Sequence, residues 1–274
     1  MAISAQDVNN LRKQTGAGMM DCKKALTEAN GDFDEAVAIL RKKGQKVAAK
    51  RADRGTTEGR VFVQTVDGGA YLLSLGCETD FVAKNDGFIE LGESFLKAAV
   101  DNGVASKEEL LEKEIAGQKV SDVVTENIGK IGEKIDITSL VKMEGEQVVP
   151  YVHSNAKLGV LVALKGTNGK DCTEIGKDVA MQIAAMNPLA LDKSGIEQSV
   201  IDRELEVGMD QARQEGKPEA MLEKIAQGKL NKFFSENTLL SQKFVKDNKK
   251  SISQVLDEVE KGLTVAEFQR ITLG

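Results

Sequence analysis

The chain contains a single histidine, and this limits the covalent chemistry that it could perform. His153 is the only histidine among 274 residues. A Ser-His-Asp or Cys-His relay would have to be built on this one residue, and a two-histidine metal site is excluded. Because His153 ends an apolar segment typical of a strand, we interpret it as a packing or contact residue and not as a catalytic base.

Other catalytic groups are present, but no pattern selects among them. The 43 acidic residues supply many carboxylates, so a hydrolase with a carboxylate pair stays an alternative, although no pair is singled out. Cys22, Cys77 and Cys172 are an odd number of widely spaced thiols without a CxxC motif. This argues against a disulfide framework and against a zinc site, and reduced thiols are typical of a cytoplasmic protein.

A glycine-containing turn, Thr15-Gly16-Ala17-Gly18, precedes a predicted helix and resembles a phosphate-binding turn. It lacks the GKS or GKT ending and the preceding strand that such turns require. We interpret it as a flexible connection between helices. The sequence therefore predicts no cofactor, no bound metal and no enzyme activity.

Three apolar side chains could act by contact with another protein. Phe81 lies between Asp80 and Val82 in a connection, where an aromatic residue either packs into the core or forms an exposed interface anchor. The spacing alone favours the core. Met19 and Met20 lie off the apolar face of their helix, so they suit either an adaptable exposed contact or the end of a small core.

Charge is distributed unevenly along the chain. The net charge is -6, and residues 41–54 hold seven basic side chains and one acidic, so the remainder carries -12. A basic RNA-binding arm is one interpretation, but the acidic remainder would repel phosphate, and short basic runs are common on solvated helix ends and linkers. We therefore expect no direct binding to nucleic acid.

No segment predicts a membrane protein. The N-terminal MAISAQDVNN lacks a basic start followed by an apolar stretch, and the longest apolar run, Leu158 to Leu164, is far shorter than the roughly 18 residues of a membrane span. We expect a cytoplasmic protein without membrane contact.

The first 43 residues predict three short amphipathic helices, because apolar residues recur there at helical spacing. Ser4 with Asp7 resembles a capping box, and Gly31 occupies the position of a helix C-cap. We expect these helices to form one module, which together with a basic linker comprises residues 1–54.

A unit of one β-hairpin and one helix follows, and it recurs. Residues 60–77 alternate at the period of a strand around a glycine-rich turn, and residues 86–100 return to a helical period. Residues 148–164 and 174–185 repeat this order, with offsets of 87 residues for the hairpins and 84 for the helices. The first copy has three extra residues between strand and helix, and they fall within Cys77 to Asn85.

The remaining chain predicts two helices, 196–214 and 218–234, that form an antiparallel hairpin with a thin apolar face. A short helix at 252–259 and a strand at 266–272 follow. The predicted fold class is α+β: a three-helix domain, a two-subdomain core of antiparallel sheets with packed helices, and a protruding helical hairpin. The predicted divisions are 1–54 (helical domain and linker), 55–140 (first core subdomain), 141–190 (start of the second), 191–235 (helical hairpin) and 236–274 (end of the second).

Four motifs resemble those of bacterial translation elongation factor Ts. They are TGAGMMDCKKALTEANGD (Thr15 to Asp32), TDFVAKN (Thr79 to Asn85), GVLVALKG (Gly159 to Gly166) and KFVKD (Lys243 to Asp247). The resemblance extends in order over nearly the whole chain. It implies that the N-terminal helices are ubiquitin-associated-like and that the core has two parts.

The resemblance implies guanine-nucleotide exchange on elongation factor Tu, the GTPase that delivers aminoacyl-tRNA in translation elongation. It implies that Thr79, Asp80, Phe81 and Val82 dislocate magnesium and release the nucleotide, which makes Phe81 an exposed anchor. It implies that further residues bind the GTPase, namely Arg12, Met19, Met20, Lys23, His153, Phe244 and Val245. Homodimerisation or a two-by-two complex stays open.

One departure and one alternative qualify this interpretation. The family's glycine-rich turn with an arginine after the histidine is replaced by Ser154-Asn155-Ala156-Lys157, which predicts altered contacts near His153. The main alternative is a binding adaptor, in which the three-helix module recruits a partner without altering its nucleotide. A GDP-release assay distinguishes the two.

Overall fold

The computed structural model describes residues 3–274, and it begins with the three expected helices. They are α1 (Ala5–Thr15), α2 (Met19–Glu28) and α3 (Phe33–Arg51). The predicted capping box is confirmed, because Ser4 Oγ accepts from the Asp7 N–H and the Asp7 carboxylate accepts from the Ser4 N–H. The apolar faces of the helices form a small core around Leu11, Cys22 and Leu26.

Two boundaries of these helices differ from the prediction. Helix α2 ends in a Schellman motif whose left-handed residue is Asn30, with φ 51°, and the following Gly31 donates its N–H to the Leu26 carbonyl. Helix α3 continues to Arg51 and so includes most of the basic stretch. The likeness of the three-helix domain to ubiquitin-associated domains stays a prediction.

The first sheet unit comprises three long strands, four helices and a small ribbon. In chain order these are β1 (Glu58–Val66), β2 (Gly69–Cys77), α4 (Asp80–Ala83), α5 (Asp86–Asn102), α6 (Lys107–Leu111), β3 (Glu114–Ile115), β4 (Gln118–Lys119), α7 (Val120–Ile131) and β5 (Ile135–Glu144). The predicted hairpin is confirmed, with Val66 paired to Gly69 across the two-residue turn. Strand β2 is central, between β1 and β5.

The second sheet unit has the same plan. In chain order it comprises β6 (Gln147–Val152), β7 (Leu158–Lys165), α8 (Thr173–Met186), α9 (Gln198–Gln214), α10 (Glu219–Asn237), β8 (Lys243–Phe244), β9 (Asp247–Ser251), α11 (Ile252–Val259) and β10 (Thr264–Thr272). Strand β7 is central, between β6 and β10. All strand pairs in both sheets are antiparallel, so the α+β class is confirmed.

One contact repeats in both units. A methyl group at Gly92 of α5 would overlap the Phe62 ring of β1, and one at Gly176 of α8 would lie 2.5 Å from Val149 of β6. The glycines are 84 residues apart and the strand residues 87 apart. These are the offsets of the sequence repeat, so each helix approaches the first strand of its hairpin at an equivalent glycine.

The two sheets pack against each other. Leu72 of β2 and Leu161 of β7 lie in one buried cluster with Val61, Met143 and Leu273. The opposite face of each sheet is covered by its own helices. The molecule therefore has helices on both outer sides and a layer of apolar side chains between the sheets.

Helices α9 and α10 form an antiparallel hairpin. Gly208 faces Ala226, since a methyl group on Gly208 would lie 3.1 Å from the Ala226 Cα. Arg213 bonds Glu219 at 3.1 Å beside the turn. The hairpin was predicted with its second helix starting at residue 218, whereas α10 begins one residue after Pro218. The protrusion of the hairpin stays a prediction.

No helix between residues 3 and 274 is long and apolar enough to cross a membrane.

Candidate functional site

The loop after β2 forms a single helical turn that presents a phenylalanine to solvent. Thr79 caps α4 by accepting from the Val82 N–H at 3.4 Å. Ala83 is buried beneath the turn, while Phe81 is 83% exposed. The core interpretation that the spacing favoured is therefore wrong for Phe81. Phe81 occupies the outward side of the turn because Val82 and Ala83 supply its contact with the core.

The residues that lead into α4 are fixed by hydrogen bonds from distant parts of the chain. Thr79 donates both its N–H and its hydroxyl to the Glu133 carboxylate, at 3.0 and 2.7 Å. Glu78 accepts from Arg51 Nη1 at 2.7 and 2.8 Å and from the Lys134 N–H at 2.7 Å. These hydrogen bonds therefore fix the residues that precede α4, while the outer face of the turn stays exposed to solvent.

Titratable groups in the loop are set by their neighbours. Lys84 Nζ donates to the Asp80 carboxylate at 2.6 Å, and this hydrogen bond lowers the pKa of Asp80. Burial, reinforced by the Glu133 carboxylate, raises the pKa of the Cys77 thiol to about 12. The protonated Cys77 thiol donates to the Thr79 carbonyl at 3.2 Å. Asp80 is thus anionic at neutral pH, and Cys77 is a structural donor.

The turn that contains His153 lies at the same edge of the molecule as α4. Glu58, the first residue of β1, is paired with Cys77, the last residue of β2. The Glu58 carboxylate accepts from Lys157 Nζ at 2.6 Å, which brings the turn after β6 to this edge. His153 is exposed there, and its Nδ1 lies 2.9 Å from the Tyr151 hydroxyl. Lys157, one of the four residues that replace the family's glycine-rich turn, thus joins the two sheet units.

A second surface lies where α1 meets α2. Arg12 is in the last turn of α1, and Met19, Met20 and Lys23 are in the first half of α2. All four side chains are exposed, the two methionines at 51% and 61%. The methionines therefore do not close the small core.

The third predicted region lies at the β8–β9 turn, where the two named residues have different environments. Phe244 is 7% exposed and belongs to the core of the second sheet unit, whereas Val245 is 52% exposed. The Val245 N–H donates to Oε1 of the buried Gln182 at 2.9 Å. Phe244 and Gln182 thus fix the turn, and Val245 is the residue available for contact.

Comparison with known proteins identifies the family. The family model for elongation factor TS matches residues 78–274. Elongation factor Ts of Cytophaga hutchinsonii is 58% identical over 275 aligned residues, covering 99% of each chain. That of Amoebophilus asiaticus is 54% identical with both chains fully covered, and that of Porphyromonas gingivalis is 47% identical over 100% of this chain and 99% of the relative. The chain belongs to the elongation factor Ts family.

Membership of the elongation factor Ts family places the chain among the factors of translation elongation. The match to the family model begins at Glu78, two residues before α4. The N-terminal helices and the first hairpin lie outside that match, but the alignments with the full-length relatives include them.

Sequence reasoning missed the residues that hold the loop of this chain in place. Glu133 is 54 positions from Thr79, and Arg51 is 27 positions from Glu78. Neither pair has a periodic or motif signal, because the contacts depend on where α7 and α3 end. The only indication in the sequence was the position of Glu78 directly after an apolar strand. A carboxylate that is buried there loses its hydration and therefore needs a cationic partner.

Proposed function

We propose that this chain is a guanine-nucleotide exchange factor for elongation factor Tu that promotes GDP release through its Asp80-Phe81 turn. The factor acts by binding and makes or breaks no covalent bond. The observation that carries the proposal is the 83% exposure of Phe81 on a turn whose backbone is fixed. An exposed aromatic on a rigid support is the usual form of an interface anchor.

Exchange requires only a coupling between two binding equilibria. Suppose that the exchange factor binds the nucleotide-free GTPase more tightly than the GDP form. GDP must then bind the complex more weakly than it binds the free GTPase, and the two ratios of affinity are equal. This reciprocity needs no catalytic base, so a chain with one exposed histidine is sufficient. The rate of release then depends on contacts that form only as the nucleotide site opens.

The turn supplies an apolar wedge and an adjacent anion. Burying a phenylalanine side chain in the partner contributes about 1.5–3 kcal/mol. Magnesium joins the nucleotide phosphates to protein oxygens, so displacement of its ligands leaves the phosphates less neutralised. In this proposal Phe81 displaces the magnesium-side segment of the GTPase, and Asp80, anionic at neutral pH, disturbs the network around the metal.

The other exposed residues provide the attachment. The α1–α2 surface combines two methionines with the cations Arg12 and Lys23, which suits an adaptable apolar contact with an acidic rim. His153 at the α4 edge and Val245 at the β8–β9 turn add two further contacts, and Phe244 supports Val245 from the core. These residues bind the GTPase but do not reach its nucleotide.

Replacement of Phe81 tests the proposal. In stopped-flow with fluorescent GDP on elongation factor Tu, Phe81→Ala should slow release by about tenfold or more, since a loss of about 1.4 kcal/mol equals one factor of ten. The control is Leu189→Ala, which also removes an exposed apolar side chain, 58% exposed, from a surface outside the proposed contacts. A normal rate for Phe81→Ala would refute the wedge, and binding without any acceleration of release by the wild type would favour the adaptor.

A further inference from the structure

The contact between Arg51 and Glu78 joins the N-terminal helices to the exposed turn. Arg51 is the last residue of α3, and Glu78 lies between the end of β2 and the cap of α4. One guanidinium nitrogen contacts both carboxylate oxygens, at 2.7 and 2.8 Å. The Glu78 side chain is only 13% exposed.

Glu78 is bound by two separate parts of the chain. Burial acts to raise the pKa of Glu78, but the hydrogen bonds from the Lys134 N–H and from Arg51 outweigh it, and the pKa is lowered. Lys134 follows Glu133, the residue that binds Thr79, in the connection between α7 and β5. The two residues ahead of α4 are therefore fixed from both α3 and the α7–β5 connection.

Helix α3 is a continuous support between the two surfaces. Its 19 residues span about 28 Å at 1.5 Å per residue. Its first half contributes Ala36 to the core of the N-terminal helices, and its second half packs Val47 and Ala48 against the core of the first sheet unit. A shift of the N-terminal helices would therefore reach the exposed turn through Arg51, which contacts Glu78 at 2.7 Å, whereas the exposed Arg54 lies 3.6 Å from the same carboxylate.

We propose that Arg51 is a positioning residue, which through Glu78 fixes the orientation of the Asp80-Phe81 turn relative to the α1–α2 surface. The inference rests on the proposed function and adds a requirement to it. A GTPase attached at α1–α2 meets the turn in a productive geometry only if the angle between the two surfaces is set in advance. A partly exposed ion pair contributes little to global stability, so a positional role explains the burial of Glu78 and the contact of one Arg51 nitrogen with both of its oxygens better.

The first experiment measures the turn without any partner. The chain has no tryptophan, so Phe81→Trp introduces a single indole whose fluorescence anisotropy reports local motion of the turn on the nanosecond scale. Adding Arg51→Met should lower this anisotropy. The matched control is Lys50→Met, which removes a neighbouring positive charge that makes no ion pair with residues 3–274, and it should leave the anisotropy unchanged. Equal anisotropy in both variants would overturn the proposal.

The second experiment measures GDP release with the full chain. Arg51→Met should lower the maximal release rate about five- to tenfold at saturating factor, with the half-saturating concentration changed less than twofold, whereas Lys50→Met should match the wild type. Glu78→Gln provides a second variant, since its amide oxygen still accepts from the Lys134 N–H while the charge is lost. A normal maximal rate in both Arg51→Met and Glu78→Gln would overturn the proposal.

A double-mutant cycle separates a positional role from an independent one. If Arg51 acts through the turn, Arg51→Met should add less than twofold to the defect of Phe81→Ala. If the two defects multiply, Arg51 acts elsewhere and the inference is wrong. A normal rate in Phe81→Ala would refute the proposed function itself, whereas a slow Phe81→Ala beside normal rates in both Arg51→Met and Glu78→Gln would refute only the role of Arg51.

Discussion

Phe81 is held in place by its neighbours and not by its own side chain. The backbone on its N-terminal side is fixed by Glu133 and Arg51, and the backbone on its C-terminal side enters α5 after Asn85, which caps that helix. The exposed ring gains nothing from folding, because apolar surface left in water contributes no burial free energy. The stabilisation that this side chain can provide is therefore available to a partner.

At the same scale, Lys84 is the main cause of the lowered pKa of Asp80. Replacing Lys84 with methionine removes the hydrogen bond and the positive charge that lower the pKa of Asp80. We expect the titration midpoint of the Asp80 carboxyl carbon, followed by NMR, to rise toward the ordinary value of about 3.9. The control Lys97→Met removes another cation with the same i,i+4 pairing, to Asp101, and should leave the Asp80 midpoint unchanged.

The sign of the linked pH effect follows from the lowered pKa. A carboxyl whose pKa is lower in the folded chain than in the unfolded chain stabilises the fold above the unfolded value, and this contribution is lost as pH falls through the folded value. The Lys84 variant should therefore be slightly less stable than the wild type at neutral pH, and this difference should disappear as pH falls through the folded pKa of Asp80. An Asp80 midpoint that does not rise would show that Lys84 does not set it.

Among the elements, the crossing of α3 and α7 fixes the N-terminal helices on the first sheet unit. The two helices approach at Gly44 and Gly129. A methyl group at Gly129 would lie 2.5 Å from the Gly44 Cα, whereas one at Gly44 would lie 3.6 Å from its nearest neighbours. The crossing is therefore intolerant of a side chain on α7 only.

This asymmetry yields a matched pair of substitutions. Gly129→Ala should force the helices apart and destabilise the chain by about 1–3 kcal/mol, as overpacking does. Gly44→Ala should be neutral or stabilise by up to about 1 kcal/mol, because alanine favours a helix over glycine. Urea unfolding measures both. Equal destabilisation by the two variants would mean that the helices do not cross at this distance.

Local pattern predicted the elements well where hydrogen bonds join near neighbours. The hairpin of β1 and β2, helix α5 and helix α11 follow from periodicity and turn residues within a few positions of each other. Strand β5 was not predicted, because it pairs with β2 across 58 residues, from Cys77 to Ile135. The seam of the helical hairpin also includes residues that apolar spacing does not select: Gly208 faces Ala226 there, whereas Met221 is exposed.

The candidate site could be predicted only through its motif. The single histidine excluded a two-histidine metal site, and the repeat isolated the loop as an insertion, but spacing alone predicted that Phe81 is buried. Exposure of that side chain depends on Thr79, whose cap orients the turn, and on Glu133, which is remote in sequence. A local pattern holds no information about such a contact, whereas the resemblance of TDFVAKN to a family carried it indirectly.

The whole molecule combines two similar sheet units back to back. In each unit the second strand of a hairpin lies centrally, and a third strand joins it after the helices. The exposed turn arises where the first copy has extra residues between its hairpin and its helix. The repeated unit therefore supplies the two-sheet body, and the difference between its copies supplies the exposed turn.

The stability of this body should depend on which face of the central strand is altered. Leu72 and Leu73 are adjacent in β2 and both fully buried, but Leu72 packs in the cluster between the sheets and Leu73 packs beneath the helices of the first unit. Truncation of either to alanine should cost about 2–5 kcal/mol. Native-state hydrogen exchange should respond differently: Leu72→Ala should accelerate exchange in both β2 and β7, because it removes a contact that the sheets share. Leu73→Ala should act mainly on the first sheet, and an identical pattern in both variants would show that the two units open only together.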